Sequence, residues 1–142
     1  MAKSRLDIIY DYDFTLIALN ANIKPYKLAW SINLTLGINL TKQPNVKIGF
    51  TGGKNLSIIN YDDTNEFRTI RLLRNRTEES EGQFDAYIVP ELKNFDYFVV
   101  LENECKTLDE NAFLSKIKEI PFIQFTTQVD IESLKSRDNL IF

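Results

Sequence analysis

The stretch that decides the fold reads FDYFVVL at residues 95–101, and a helical pattern and a second strand pattern follow it. Its almost continuous apolar character is typical of a central strand buried on both faces. Thr107 or Asp109 can cap the following helix, which Pro121 ends. We expect one helix face to point inward, formed by Leu108, Phe113 (or Ala112), Leu114, Ile117 and Ile120. The second strand pattern covers residues 122–129, so the helix could cross over between parallel strands.

The first third of the chain predicts strands followed by a helix. Residues 5–12 alternate between apolar and polar side chains, which is the period of a half-buried strand, and residues 14–19 form a second apolar run. Residues 26–36 are predicted to be helical, with Pro25 at the first helical position and Gly37 as the stop. We expect one apolar stripe to face the core, with Trp30 and Leu34 widening it: Leu28, Ala29, Ile32 and Leu36.

The middle of the chain is predicted to be rich in strands. Residues 46–50 and 56–61 read as a hairpin around a turn at 51–54. Residues 67–76 fit either a helix or a strand by their apolar spacing, and the surrounding pattern favours the strand. Residues 84–89 are predicted to form a further short strand.

Two short helical segments complete the prediction. Pro90 can open a single helical turn over residues 90–94, and Asp130 can cap a short final helix at 131–135. Hairpins with one helix early and one late predict an α+β protein with a single domain at 1–142. We expect a mainly antiparallel, possibly mixed, sheet of about five to seven strands, with two main helices packed on it and a short C-terminal helix.

Composition excludes several familiar catalytic chemistries. The 142-residue chain contains no histidine and a single cysteine, Cys105. The missing imidazole excludes Ser-His and Cys-His nucleophile pairs, together with zinc sites that use histidine. One cysteine cannot form an intramolecular disulfide, a CxxC redox pair or a metal cage. These exclusions favour a non-enzymatic protein, and no cofactor is expected.

The same composition predicts a soluble, cytoplasmic protein. An unpaired cysteine suits a reducing compartment, and the opening MAKSRLDIIYDYDF has no apolar core of a signal peptide. The sequence contains no stretch approaching about 18 apolar residues, so no membrane partner is expected. A formal net charge of −3 argues against a general nucleic-acid coat but leaves room for a local basic patch.

One segment carries a family resemblance. It runs VPELKNFDY at residues 89–97, where Pro90, Glu91, Asp96 and Tyr97 stand at fixed spacing. The segment resembles the defining motif of the IPExxxVDY family of small bacterial proteins, with Val89 in place of Ile and Phe95 in place of Val. The opening YDYDF, the helix around Trp30 and the closing NLIF are also similar to that family. The family has no assigned activity, cofactor or catalytic residue, so the resemblance implies no functional residue.

The motif segment has a structural and a functional interpretation. Pro90 suits the start of a helical turn, and Glu91 then faces free backbone N–H groups at the positive end of that turn. Asp96 and Tyr97 fall on opposite faces of the following strand. The acidic groups could satisfy local backbone donors in a β-turn-β corner. Alternatively, Glu91, Asp96 and Tyr97 could line a binding cleft there, in a ligand-binding or enzymatic domain.

Arginines concentrate in the ambiguous segment. Arg68, Arg71, Arg74 and Arg76 are four of the six arginines in the chain. The planar guanidinium recognises phosphate, so the run could bind RNA or another anion. As a strand, however, it would place Arg71 on the face opposite the other three, and a solvated or salt-bridged strand is the alternative.

Two further patterns favour structure over chemistry. Asp7, Asp11 and Asp13 share one face of the first predicted strand, but side chains about 7 Å apart along one strand cannot enclose Mg²⁺ or Ca²⁺ alone. A metal site is therefore not expected. The segment 51–54 (TGGK) lacks the spacing of a phosphate loop and favours a hairpin turn.

The apolar C-terminus completes the set of candidates. Leu140, Ile141 and Phe142 must be buried in the domain or inserted as an anchor into the groove of a partner. With no assembled catalytic set, the function favoured by the sequence is a non-enzymatic protein-interaction or adaptor domain. The alternatives are an RNA- or phosphate-binding factor that uses Arg68–Arg76, and a ligand-binding domain at the Pro90–Tyr97 corner.

Overall fold

The structure is a computed structural model that describes residues 13–49, 55–78 and 86–141. Within these ranges the chain forms six strands, two α-helices and three short 3₁₀ turns. The strands are β1 (Thr15–Ala21), β2 (Thr41–Gly49), β3 (Asn55–Thr64), β4 (Thr69–Arg74), β5 (Tyr97–Glu102) and β6 (Ile123–Val129). The helices are α1 (Pro25–Leu36) and α2 (Glu110–Lys118), and the 3₁₀ turns are Pro90–Leu92, Ile131–Ser133 and Arg137–Leu140.

The described strands form one antiparallel sheet in the order β2-β3-β4-β5-β1-β6. β1 lies between β5 and β6, with Ile17 opposite Val99 on one side and Gln128 on the other. Because both neighbours are antiparallel to β1, β5 and β6 run in the same direction without pairing, and α2 connects them across β1. The predicted α+β class is confirmed, and no parallel pair occurs within the described sheet.

One face of the sheet packs against both helices. Pro25 occupies the start of α1, and Gly37 ends it in a left-handed conformation (φ 70°) while its N–H donates to the Asn33 carbonyl over 2.8 Å. The Asp109 carboxylate caps α2 by accepting from the Ala112 N–H over 3.1 Å. The buried helix residues on this face are Leu28, Ala29, Ile32, Phe113 and Ile117, with Ile120 following α2.

The predicted inward stripe of α1 is correct at its centre and wrong at its margin. Leu28, Ala29 and Ile32 are buried, whereas the side chains of Trp30 and Leu34 are 58% and 69% exposed. Trp30 lies two positions, about 200° of helical rotation, from both Leu28 and Ile32. Once those two residues meet the sheet, Trp30 must therefore point toward solvent.

The opposite face of the sheet is covered by irregular segments instead of helices. Residues 86–95 and 130–141 pack Ile88, Val89, Ile131, Leu134 and Leu140 against buried strand residues such as Phe98 and Val100. Leu140 is only 1% exposed, and the Asn139 side chain donates to the Ile88 carbonyl over 2.8 Å. Leu140 is thus a core residue, while Ile141 is 39% exposed and Phe142 lies outside the described residues.

The local predictions meet several different outcomes. The ambiguous run at 67–76 contains strand β4, and the turns at Pro90 and after Asp130 both form as 3₁₀ turns. The predicted strand at 84–89 is wrong over its described part, where a single bridge joins Arg76 to Tyr87. The ladder stops there because the Asn75 side chain, and not a neighbouring strand, accepts the hydrogen bond from the Val89 N–H. The predicted strand at 5–12 and the turn at 51–54 lie outside the described residues.

Candidate functional site

The corner that carries the family resemblance is organised by a buried asparagine at the end of β4. Asn75 is fully buried, and its amide group donates to the carbonyl of Leu92 over 2.9 Å and to that of Phe95 over 3.0 Å. Its side-chain oxygen accepts from the Val89 N–H over 3.1 Å. Sequence reasoning did not identify Asn75, since a single Asn between arginines gives no pattern that distinguishes a buried hub from a turn residue.

The acidic and aromatic residues of the segment connect this corner to distant parts of the chain. Glu91 Oε2 accepts from the Ser136 N–H over 2.8 Å, and Asp96 Oδ2 accepts from the Ala21 N–H over 3.0 Å. The Tyr97 hydroxyl donates to the Ile23 carbonyl over 2.6 Å. Each side chain therefore satisfies a backbone group, which agrees with the structural interpretation of the segment.

These contacts also determine how the groups titrate. Partial burial alone would raise the pKa of Glu91, but hydrogen bonds from backbone N–H groups, its own and that of Ser136, leave it below the usual value. Burial raises the pKa of Tyr97 to about 12, although the nearby Arg74 guanidinium acts in the opposite direction. Tyr97 thus stays protonated and keeps its bond to Ile23 at neutral pH.

A cleft of about 200 Å³ opens beside the same corner, where the ends of β1 and β4 meet the start of β5. Asn22 and Ile23, which follow β1, form part of its wall. The charged lining residues are Arg74, Arg76, Lys93 and Asp96. Aromatic lining is provided by Tyr87, Phe95 and Tyr97. Of the three residues expected to line a cleft here, Asp96 and Tyr97 do so and Glu91 does not, and Arg74 and Arg76 of the arginine run line it as well.

The four arginines of the run do not form one common surface. Arg68 contacts Asp63 (Nη1 to Oδ1, 3.3 Å), and Arg71 contacts Asp62 across the β3–β4 pair (Nη1 to Oδ2, 3.6 Å). Burial acts to raise the pKa of Asp63, but bonds from Asn39 and Arg68 hold it below the usual value. The first two arginines are thus occupied by carboxylates, while Arg74 and Arg76 line the cleft.

Only one of the three aspartates that share a face of the first predicted strand lies within the described residues. Asp7 and Asp11 lie outside the described residues, and Asp13 is exposed near the start of β1. Among the residues that the structure describes, no three acidic or cysteine side chains are grouped as metal ligands. Cys105 is an exposed free thiol.

A second candidate surface lies on the outer face of α1. Tyr26, Trp30 and Leu34 follow one another at four-residue spacing, so they form a single stripe along the helix. Their side chains are 63%, 58% and 69% exposed, respectively. At the start of this stripe, Lys27 Nζ lies 5.5 Å from the centre of the Phe122 ring, which is itself partly exposed. We refer to Tyr26, Trp30 and Leu34 as the α1 stripe.

Comparison of this chain with protein-family models, curated proteins and solved structures found no match. None of the helices in the described ranges has the length and apolar character needed to cross a membrane.

Proposed function

We propose that the chain is a non-enzymatic, cytoplasmic protein-interaction domain that binds its partner through the α1 stripe. The single observation that carries this proposal is the exposure of Tyr26, Trp30 and Leu34 on a helix whose opposite face already packs on the sheet. A helix that is apolar on both faces is typically covered on both faces. The cytoplasmic location is supported by the exposed free thiol of Cys105, which suits a reducing compartment.

The size of the stripe fits an energetic hot spot. Full burial of a large apolar side chain contributes about 1.5–3 kcal/mol, and the three residues retain well over half of their accessible surface. Covering them together would therefore contribute several kcal/mol to an association. Trp and Tyr are also the residue types most enriched at the energetic centres of protein interfaces.

Charge indicates the chemistry of the partner. Residues 14–61 contain five lysines and no Asp or Glu, although the whole chain has a net charge of −3. Lys24 and Lys27, both exposed, flank the start of the α1 stripe, and the first turn of α1 contains no acidic residue. The occupant that fits is an amphipathic helix of another protein, with its apolar face bordered by carboxylates.

The test compares three versions of the full-length chain. Tagged wild type, Trp30→Glu and Phe67→Glu would be recovered from cells, and co-purifying proteins identified by mass spectrometry. Phe67 is the matched control because it is 50% exposed and lies outside α1. An identified partner should then be purified and its affinity for each version measured by calorimetry.

The proposal predicts a partner with an acidic-bordered helix that binds wild type and Phe67→Glu equally and loses at least about tenfold in affinity with Trp30→Glu. Circular dichroism would establish that both variants are folded. Identical sets of recovered proteins for wild type and Trp30→Glu would overturn the proposal, as would a partner whose affinity is unchanged by Trp30→Glu.

A further inference from the structure

Arg74 lies at the end of β4 and lacks a carboxylate partner among the described residues. Its side chain is half-buried, yet it makes no ion pair or side-chain hydrogen bond with any residue in the described ranges. Arg68, on the same strand segment, contacts Asp63 instead. Partly removing a guanidinium from water without a partner costs free energy. A bound anion would remove that cost.

The surroundings of Arg74 are arranged to favour an anion. Lys93 contributes a second cationic group to the cleft, against the one carboxylate of Asp96 among its described lining residues. One oxygen of that carboxylate already accepts the Ala21 N–H, which spreads part of its charge. Arg74 and Lys93 therefore outnumber that carboxylate among the described lining residues, in a protein whose net charge is −3.

We propose that this cleft binds a small organic phosphate, with Arg74 as the main ligand-binding residue. The guanidinium provides parallel N–H donors that match the oxygens of a phosphate monoester, and Lys93 adds a point charge. Tyr87 and Phe95 in the wall provide apolar surface for the organic part of the ligand. None of the α1 stripe residues lines this cleft. An experiment that rejects phosphate binding would therefore leave the proposed partner binding untouched, and the reverse also holds.

The dimensions of the cleft favour a small molecule over RNA. Its volume of about 200 Å³ is below the roughly 300–1,000 Å³ of drug-sized ligand sites. Sequence-tolerant binding of a nucleic-acid strand requires a charged groove along several nucleotides. Arg68, which would have to extend such a groove on the side of Arg74, is engaged by Asp63, and Arg71, on the opposite face of the strand, is engaged by Asp62.

The experiment uses the full-length chain labelled with ¹⁵N and titrated with phenyl phosphate in the millimolar range. Inorganic phosphate and benzoate form parallel arms, which separate recognition of the phosphate group from that of the aromatic group. A short single-stranded RNA forms the fourth arm. The variants are Arg74→Gln and Lys93→Gln, and Lys118→Gln is the control because it removes the same charge from α2, outside the cleft.

We expect saturable shifts of amide signals at Arg74, Tyr87, Lys93 and Asp96, with phenyl phosphate binding more tightly than inorganic phosphate or benzoate. Loss of charge-assisted hydrogen bonds should weaken phenyl phosphate by about tenfold to one-hundredfold in Arg74→Gln, and less in Lys93→Gln. Lys118→Gln should bind like wild type. Because Lys93 is exposed, its variant keeps the test valid if Arg74→Gln does not fold.

Three results would overturn the assignment. The first is the absence of saturable shifts at the cleft with phenyl phosphate. The second is equal affinity for phenyl phosphate in Lys93→Gln, Arg74→Gln and Lys118→Gln. The third is RNA that binds at the cleft more tightly than phenyl phosphate with a steep salt dependence, which would assign the site to nucleic acid.

Discussion

The side-chain oxygen of Asn75 accepts a hydrogen bond from the backbone N–H of Val89 over 3.1 Å, inside the protein core. Through this contact and two donated bonds, the end of β4 fixes the path of residues 88–96. That path brings Lys93 into the lining of the cleft that Arg74 also lines, and it places Glu91 against the C-terminal segment. A buried amide therefore organises the candidate site without forming part of its lining.

Replacing Asn75 by Ala should destabilise the fold strongly. The change removes the partner of the Val89 N–H and of the Phe95 carbonyl in a buried environment, while the Leu92 carbonyl keeps only the bond from the Phe95 N–H. We expect a loss of about 2–4 kcal/mol in the free energy of unfolding, measured by urea denaturation with circular dichroism. Asn111→Ala, at an exposed position of α2, should change it by less than about 0.5 kcal/mol. Equal midpoints for the two variants would contradict the role of Asn75.

Trp30 should be dispensable for folding. Its side chain is 58% exposed, whereas Ile32 on the same helix is completely buried. Trp30→Ala is therefore expected to change the free energy of unfolding by less than about 1 kcal/mol, while Ile32→Ala should lower it by about 2–5 kcal/mol. Thermal and urea denaturation of the two variants would measure this contrast. A loss at Trp30 as large as at Ile32 would mean that the α1 stripe serves the fold of the single chain.

Two glycines provide a matched test of backbone conformation. Gly37 has a φ of 70°, whereas Gly49 does not adopt a positive φ, and a Cβ added at either position would meet no atom within 4 Å. Gly37→Ala should therefore lower the free energy of unfolding by about 1–2 kcal/mol through backbone strain alone. Gly49→Ala should leave it nearly unchanged or raise it by about 0.5 kcal/mol. The prediction fails if urea denaturation ranks the two variants in the opposite order.

Stability at alkaline pH should depend on Tyr97. Burial raises the pKa of its hydroxyl to about 12 in the folded state, while an unfolded tyrosine titrates near about 10. The folded state therefore binds this proton more tightly, and the resulting stability is complete below about pH 10 and is lost as the pH rises toward about 12.

The variant Tyr97→Phe removes this titration together with the bond to the Ile23 carbonyl. At pH 8 it should be less stable than wild type by about 1 kcal/mol, and the difference should shrink as the pH rises above about 10. Urea denaturation at a series of pH values would measure this difference. Tyr26→Phe, at a residue that is 63% exposed, is the control and should match wild type at pH 8. A difference between wild type and Tyr97→Phe that stays constant across this range would contradict the assignment.

Local patterns in the sequence predicted most of the helices and strands, but they predicted less well which face of an element meets the core and which residues it pairs with. The cap at Asp109, the stop at Gly37 and the apolar run at 95–101 correspond to observed features because each depends on neighbouring residues alone. The strand predicted at 84–89 failed because Asn75, which is distant in sequence, binds the Val89 N–H that a strand neighbour would need. Trp30 was misplaced because apolar character does not specify which face of α1 meets the sheet.

By itself, the sequence determined the α+β class, the positions of both helices and the absence of histidine chemistry, since periodicity, caps and composition are properties of the chain. Only the tertiary structure decided that Arg68 and Arg71 face carboxylates while Arg74 lines a cleft with Lys93. The physical reason is that the elements packed beside the arginines set their neighbours. Pairing with β3 brings Asp62 and Asp63 to Arg71 and Arg68, whereas the corner held by Asn75 brings Lys93 into the cleft that Arg74 lines. Charges on one strand thus acquire different roles from the elements that pack beside them.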